Sequence, residues 1–317
     1  MTDTQNEVFK TPVNKIRLFE HGAPGSQNLK LTRKYYTEDM PDGRVKHIVQ
    51  NITDPDIVPY IPDGIGNSTD RQRIPAVLII PGGAFRRLVY NFEGEDVAKW
   101  LNSMGIAAFV LECRLPSDEH DNAEDVPLID AMRAMRVIRG RAQEFGIDEA
   151  KIGVMGFSAG GFMAALLSTA YESDVYADYK YKDEYDKLSA RPDFAVCSYP
   201  VISIDDCIEA GKRYMSEEQV LERISDGKAK ILHKYNPDKL VRPDMPPVFI
   251  CETDDDRTTL SENSVGFYMA ARKAGVSAEL HIFRTGGHGY GCGDDFAQTG
   301  EWKVCLLYTS PSPRDRG

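Results

Sequence analysis

Lys151-Ile152-Gly153-Val154-Met155-Gly156-Phe157-Ser158-Ala159-Gly160-Gly161-Phe162-Met163-Ala164-Ala165-Leu166-Leu167 joins three kinds of sequence without a gap. Lys151 to Met155 is a short apolar strand, Gly160 to Tyr171 is a helix, and between them a serine stands among glycines. On average glycine and serine usage, a chain of this length shows G-x-S-x-G by chance roughly one time in ten. The context carries the argument. A serine on a sharp strand-to-helix turn projects its hydroxyl above a sheet, and the glycines are needed because side chains there would strike the neighbouring strand and helix. Ser158 is therefore the expected nucleophile, with the helix N-terminus beneath it favouring developing negative charge.

Outward from this turn the grammar is uniform from Ala76 onward. Short, wholly apolar strands are expected at Ala76 to Ile80, Ile106 to Leu111, Lys151 to Met155, Phe194 to Ser198, Val248 to Cys251 and Leu280 to Phe283. Helices are expected near Glu95 to Ser103, Glu124 to Phe145, Gly160 to Tyr171 and Glu262 to Ala274. Apolar strands alternating with amphipathic helices give an α/β fold with a mostly parallel, doubly wound sheet. In the second helix, Leu128, Met132, Met135, Ile138, Ala142 and Phe145 form a packing stripe, with Arg133, Arg136 and Arg141 turned away from it. Before Ala76, runs at Ile16 to Phe19, Leu29 to Tyr36 and Val45 to Ile52, set among Gly, Pro and Asp, read as antiparallel N-terminal edge strands.

The organisation expected is one domain over residues 1–306. Two polar stretches, 171–193 and 203–245, are candidate lid or site-wall insertions. Residues 307–317 read as a non-native or disordered tail, because the proline-rich Ser310 to Gly317 cannot continue a helix that begins near Thr299.

Composition narrows the partners. The 317 residues carry 38 Lys and Arg against 49 Asp and Glu, a formal charge of −11. That sign opposes nucleic-acid binding. With 42% apolar and 27% charged residues, the chain has the makings of a large core. No apolar stretch approaches the ~18 residues of a spanning helix. Met1 to Lys10 is polar and acidic, without the pattern of a secretory leader, so the expectation is a cytoplasmic protein. Six widely spaced cysteines, three of them (Cys113, Cys197, Cys251) in strongly apolar runs, read as free buried thiols. No C-x-x-C, H-E-x-x-H or H-x-x-E-H pattern occurs, so no metal or other cofactor is expected.

A hydroxyl attacking an acyl carbon creates an oxyanion that needs preorganised donors. Pro81-Gly82-Gly83-Ala84-Phe85 leaves the apolar strand Ala76 to Ile80, and the amides of Gly83, Ala84 and Ala159 are the expected donors. The general base is expected at His288, in Gly286-Gly287-His288-Gly289-Tyr290-Gly291, where four glycines let the backbone approach the serine. The third member is a carboxylate after the strand Val248 to Cys251. Every acid from Glu252 to Asp256 qualifies, and the order Ser, acid, His cannot be read from spacing more finely. Phe85, Arg86, Phe157 and Tyr290 flank these motifs and are the expected substrate contacts.

Ile79 to Phe85, Phe92-Glu93-Gly94, Trp100 to Leu111, Gly156 to Gly161, and Glu279 to Phe283 leading to His288 resemble α/β-hydrolase esterases of the acetylxylan and acetyl esterase kind. The resemblance spans about Ile57 to Trp302. It implies the α/β-hydrolase fold and a cofactor-free serine carboxylesterase that removes short acyl groups, acetyl first, from carbohydrate esters such as acetylated xylo-oligosaccharides. It also implies a triad of Ser158, Asp255 and His288. The family's Pro-Gly-Gly-Gly-Tyr is Pro-Gly-Gly-Ala-Phe here, with Arg86-Arg87 following. The expected partner is a small-molecule or oligosaccharide ester, with homo-oligomerisation left open. The tyrosines Tyr171, Tyr176, Tyr179 and Tyr181 are candidates for stacking on sugar rings. The alternatives on the same sequence are a serine peptidase or formamidase, or a catalytically silent sugar-binding protein.

Overall fold

The structure is a computed structural model that describes residues 9, 13–65, 73–213, 216, 218–219, 229–294 and 298–309. Eleven strands are assigned among them. They are β1 (Ile16–Arg17), β2 (Lys34–Asp39), β3 (Val45–Gln50), β4 (Asp56–Tyr60), β5 (Ile74–Ile80), β6 (Leu88–Val89), β7 (Ala107–Glu112), β8 (Ile147–Phe157), β9 (Ala195–Ser198), β10 (Val248–Thr253) and β11 (Ala278–Phe283). The main sheet runs β1-β4-β7-β5-β8-β9-β10-β11. Its six strands from β7 to β11 are parallel, while β4 pairs antiparallel with β7 and β1 with β4. Both faces of the central strands are covered, so β7, β9 and β10 are buried at every residue.

The principal helices are α1 (Asp96–Ser103), α2 (Val126–Gly140), α3 (Ala142–Phe145), α4 (Ala159–Ala170), α5 (Ile204–Lys212), α6 (Ala229–Lys234), α7 (Ser261–Lys273) and α8 (Glu301–Thr309). The chain steps from β5 to β7 through α1, then back across β5 to β8 through α2. Right-handed crossovers therefore put α1 on one face and α2 with α4 on the other. Trp302 of α8 is fully buried against Trp100 of α1, ring centroids 5.2 Å apart, which places α8 on the α1 face.

The N-terminal expectation needs correcting. The run Val45 to Ile52 is a strand, but Leu29 to Tyr36 is extended only from Lys34, and the pair β2–β3 leaves the main sheet to form a separate antiparallel sheet with β6. The antiparallel edge is made by β1, within the expected run Ile16 to Phe19, and by β4, whose proline at Pro59 hid it in the sequence. The expected helix Glu124 to Phe145 divides at Arg141, where φ −103° and ψ 17° leave the helical region. Arg133 does turn away from the packing stripe, but not into water. It is buried, bonded to the Leu18 carbonyl and paired with Asp183 and Asp186. The C-terminal helix reaches Thr309, so residues 307–309 belong to it and not to a tail. The rest of the expected tail, 310–317, lies outside the described residues.

The stretch 171–193 is not a lid. It follows the C-terminus of α4 and precedes β9, which puts it at the opposite end of the sheet from Ser158. Three of the four expected tyrosines are occupied: Tyr176 hydroxyl bonds to Asp186, Tyr179 to the Gly22 carbonyl and Tyr171 to Asp244, while Tyr181 is exposed, its ring against His21. In the stretch 203–245, residues 214–215, 217 and 220–228 lie outside the described residues. The part containing α6 does sit at the catalytic end, since Lys234 and Tyr235 both bond to Asp125 beside the N-terminus of α2.

At that same end, Arg114 and Asp130 form a fully buried pair: Nη2 to Oδ1 is 2.7 Å, and the Arg114 amide also donates to Asp130 at 2.8 Å. The guanidinium reaches on to Ser26 Oγ and the Pro24 carbonyl, fastening the N-terminal segment to the core. Asp130→Ala leaves a buried, uncompensated guanidinium, and the expected loss is about 3–5 kcal/mol of unfolding free energy, read from denaturant titration.

Candidate active site

The elbow is built by close approach. Ile80 of β5 lies beside Gly156 of β8, so the loop leaving β5 passes directly over the turn leaving β8. A Cβ on Gly160 would sit 1.9 Å from the Ile80 carbonyl oxygen, and one on Gly82 would sit 2.4 Å from that of Phe157. Only glycine fits either place. Ser158 holds φ 53° and ψ −118°, with its amide donating to the Ser198 carbonyl at 3.0 Å. Ala84 at φ 56°, Phe85 at φ 60° and Tyr199 at φ 36° share the strained region, so unfavourable backbone gathers around one point.

Ser158 Oγ lies 2.9 Å from His288 Nε2, and His288 Nδ1 lies 2.6 Å from Asp256 Oδ2. A carboxylate only accepts, so Nδ1 carries the proton and Nε2 receives the serine hydroxyl. Asp256 is sealed from solvent while the imidazole side chain is 21% exposed, which leaves the imidazole reachable and the carboxylate dry. Asp256 is also saturated: Oδ1 accepts the amides of Thr258 (2.7 Å) and Thr259 (2.9 Å), and Oδ2 the Thr259 hydroxyl (2.9 Å). Burial alone would raise its pKa, but the bond and charge of His288 with these donors hold it below the ordinary carboxylate value.

The acid implied by the family resemblance is thus corrected. Asp255 does not reach the imidazole. It is exposed, and its Oδ1 accepts the amides of Gly286 (3.0 Å) and Gly287 (2.8 Å), fixing the start of the histidine loop. The reason is a turn at the end of β10, closed by the Asp256 amide on the Thr253 carbonyl, which throws Asp254 and Asp255 outward and brings Asp256 back. Glu252 is buried and takes no part in the relay: its Oε1 accepts the Thr253 amide at 2.9 Å and its Oε2 the Ser264 hydroxyl at 3.2 Å, while burial and the nearby Asp256 push its pKa up. A signal for Asp256 existed in Asp256-Arg257-Thr258-Thr259, an aspartate followed by the amides it can cap.

Among the described residues, the amides of Gly83, Ala84 and Ala159 have no internal acceptor, whereas that of Gly82 donates to buried Glu93 at 2.8 Å. Of the expected substrate contacts, Phe85 lines a small cavity with Gly82, Leu115, Ala159 and Met163, and Arg86 is exposed beside it. Two others are corrected. Phe157 faces the core, fully buried between Tyr199 and Trp302, because the last residue of β8 alternates inward when the serine turns up. Tyr290 is also buried, its hydroxyl 3.4 Å from Ser198 Oγ. The other histidines have separate settings: His281 stacks on Phe249, His47 on Phe9, and His120 bonds Ser26. Cys113, Cys197, Cys251 and Cys292 are buried free thiols; their pKa values are all pushed up, by burial first. Among the described residues no helix is long and apolar enough to cross a membrane.

Comparison with known proteins agrees with this architecture. An acetylxylan esterase of Xylanibacter ruminicola is 30% identical over 249 residues, covering 76% of this chain and 46% of its own length. Endo-1,4-beta-xylanase B of Butyrivibrio fibrisolvens is 31% identical over 227 residues, covering 71% of this chain and 34% of its own. The chain thus spans less than half the length of either relative. An acetyl ester-xyloside bifunctional hydrolase from Caldicellulosiruptor lactoaceticus superposes with a TM-score of 0.66 at 34% identity, over 93% of this chain and 94% of the other. The sequence pattern of the family described as BD-FAE matches residues 65–270, more than half of the chain, and the protein belongs to that family, on the α/β-hydrolase fold.

Proposed function

We propose that the protein is a serine carboxylesterase that removes short acyl groups, acetyl before longer chains, from carbohydrate esters such as acetylated xylo-oligosaccharides. The observation that carries this reading is the continuous relay from Ser158 Oγ through His288 to Asp256, at 2.9 and 2.6 Å. Ser158 attacks the ester carbonyl as His288 Nε2 takes its proton, and Asp256 stabilises the imidazolium that forms. The free amides of Gly83, Ala84 and Ala159 take up the oxyanion. Collapse expels the alcohol, which leaves with the proton from His288, and water then repeats the sequence on the acyl-enzyme.

Two observations favour a short acyl group on a sugar. The cavity beside the elbow measures about 20 Å³. A single water needs ~10–15 Å³, so this apolar space beside Phe85, Ala159 and Met163 is of the order of a methyl group, which supports a short acyl chain. The relatives named above are an acetylxylan esterase, a xylanase and an acetyl ester-xyloside hydrolase.

The test is steady-state hydrolysis of p-nitrophenyl acetate, butyrate and octanoate, with acetylated xylo-oligosaccharides alongside. A tenfold preference in kcat/KM for octanoate over acetate would overturn the acyl assignment. Met163→Ala opens the cavity, and the butyrate-to-acetate ratio of kcat/KM is expected to rise roughly tenfold, the worth of a methylene or two in an apolar pocket.

The acids separate in the same assay. Asp256→Asn leaves the imidazole in the wrong tautomer, and the expected loss is on the order of 10⁴ in kcat. Asp255→Asn keeps an oxygen that accepts the two glycine amides, so a loss under about tenfold is expected, that of a conserved hydrogen-bond geometry without its charge.

A further inference from the structure

Glu93 is buried between the two loops that carry the chemistry, and the relay described above does not use it. Its Oε2 accepts the Gly82 amide at 2.8 Å, and its Oε1 accepts the Tyr199 hydroxyl at 2.9 Å. The Tyr199 oxygen in turn accepts the Gly291 amide at 3.0 Å, three residues beyond His288. The Tyr199 ring also lies edge-on to the His288 ring, centroids 5.1 Å apart at 68°. Its carbonyl lies 3.4 Å from the oxygen of the Thr259 hydroxyl, which donates to Asp256 on the same loop. One carboxylate and one phenol therefore touch the oxyanion loop, the histidine loop and the acid loop.

We infer that Glu93 and Tyr199 are positioning residues, which fix the distance between the Gly83–Ala84 amides and the His288 imidazole for the acyl transfer. The inference rests on the esterase reading. The chemistry of the pair is directional. Gly291 N–H donates to the Tyr199 oxygen, Tyr199 O–H donates to one oxygen of Glu93, and Gly82 N–H donates to the other. A group that accepts on both sides is required, and a carboxyl supplies it where an amide does not. Turning its oxygen to Gly82, a glutamine would face Tyr199 with N–H and leave the phenolic proton without an acceptor. With its amide drawn down to Glu93, Gly82 leaves the next two amides of the loop free. Without that anchor, nothing else in the described hydrogen bonds ties the Gly82 amide in place.

The test compares Glu93→Gln, Glu93→Ala and the near-isosteric Tyr199→Phe with the wild type and Ser158→Ala. Three quantities are read: kcat and KM on p-nitrophenyl acetate, the rate of fluorophosphonate labelling of Ser158, and the melting temperature. A reacting group displaced by about 1 Å costs roughly 10²-fold in rate, so kcat and labelling are expected to fall together by ~10- to 100-fold in Glu93→Gln and Tyr199→Phe. KM is expected to stay within about threefold, since neither side chain reaches the substrate. A purely structural pair gives the reverse pattern, a lowered melting temperature with wild-type kcat in the folded protein, and overturns the inference while the esterase reading stands on an inactive Ser158→Ala. Failure of all three variants to fold assigns the network to stability and overturns it equally. A wild type that neither hydrolyses the ester nor takes the label removes the esterase reading, and this inference with it.

Discussion

Ser158 is held in a backbone conformation that an L-residue avoids, and the surrounding structure exists in large part to keep it there. Its amide is bonded to β9 through the Ser198 carbonyl, and its own carbonyl accepts from both Phe162 in α4 and Val201 beyond β9. Such a residue costs of order 1–3 kcal/mol, which the packed sheet and helix on either side offset. Because the strain is confined by buried strands, the hydroxyl has one direction to point. The loop from β5 crosses so close above that Gly82 and Gly160 admit no side chain, and this proximity brings the loop of Gly83 and Ala84 up to the Ser158 turn.

Three buried carboxyls surround the imidazole or its partners, and their environments separate them. The donors around Asp256 push its pKa down against its burial, burial with the nearby Asp256 pushes that of Glu252 up, and Glu93 is raised by burial but relieved in part by His288, Tyr199 and Gly82. Like charges so near one another cannot all ionise in a dry interior. Of the three, Asp256 is the one bonded to the imidazole, Oδ2 to Nδ1 at 2.6 Å.

Elements whose character is set locally were legible in the sequence. The six parallel strands, the four long helices, the elbow and the glycine-rich histidine loop each carry their own composition, and each appears within a few residues of its expected place. Position within a turn was not legible. Asp254, Asp255 and Asp256 are chemically identical, and what selects Asp256 is a hydrogen bond from its amide to Thr253 that no spacing rule encodes. Phe157 was misplaced for a related reason: next to the serine in sequence, it points the other way by strand alternation. The tyrosines of 171–193 were misplaced by ignoring direction, because a chain that has just descended α4 must be at the far end of the sheet. The separate β2–β3–β6 sheet could not be read, since nothing in a strand says which edge it will choose.

Trp302 Nε1 donates to the Gly291 carbonyl at 3.2 Å, so the last helix of the fold grips the loop that carries the imidazole. The histidine loop is thus held at its start by Asp255 and past its end by Trp302. A cut between this loop and α8 would remove the second of these anchors while leaving every strand of the main sheet covalently whole.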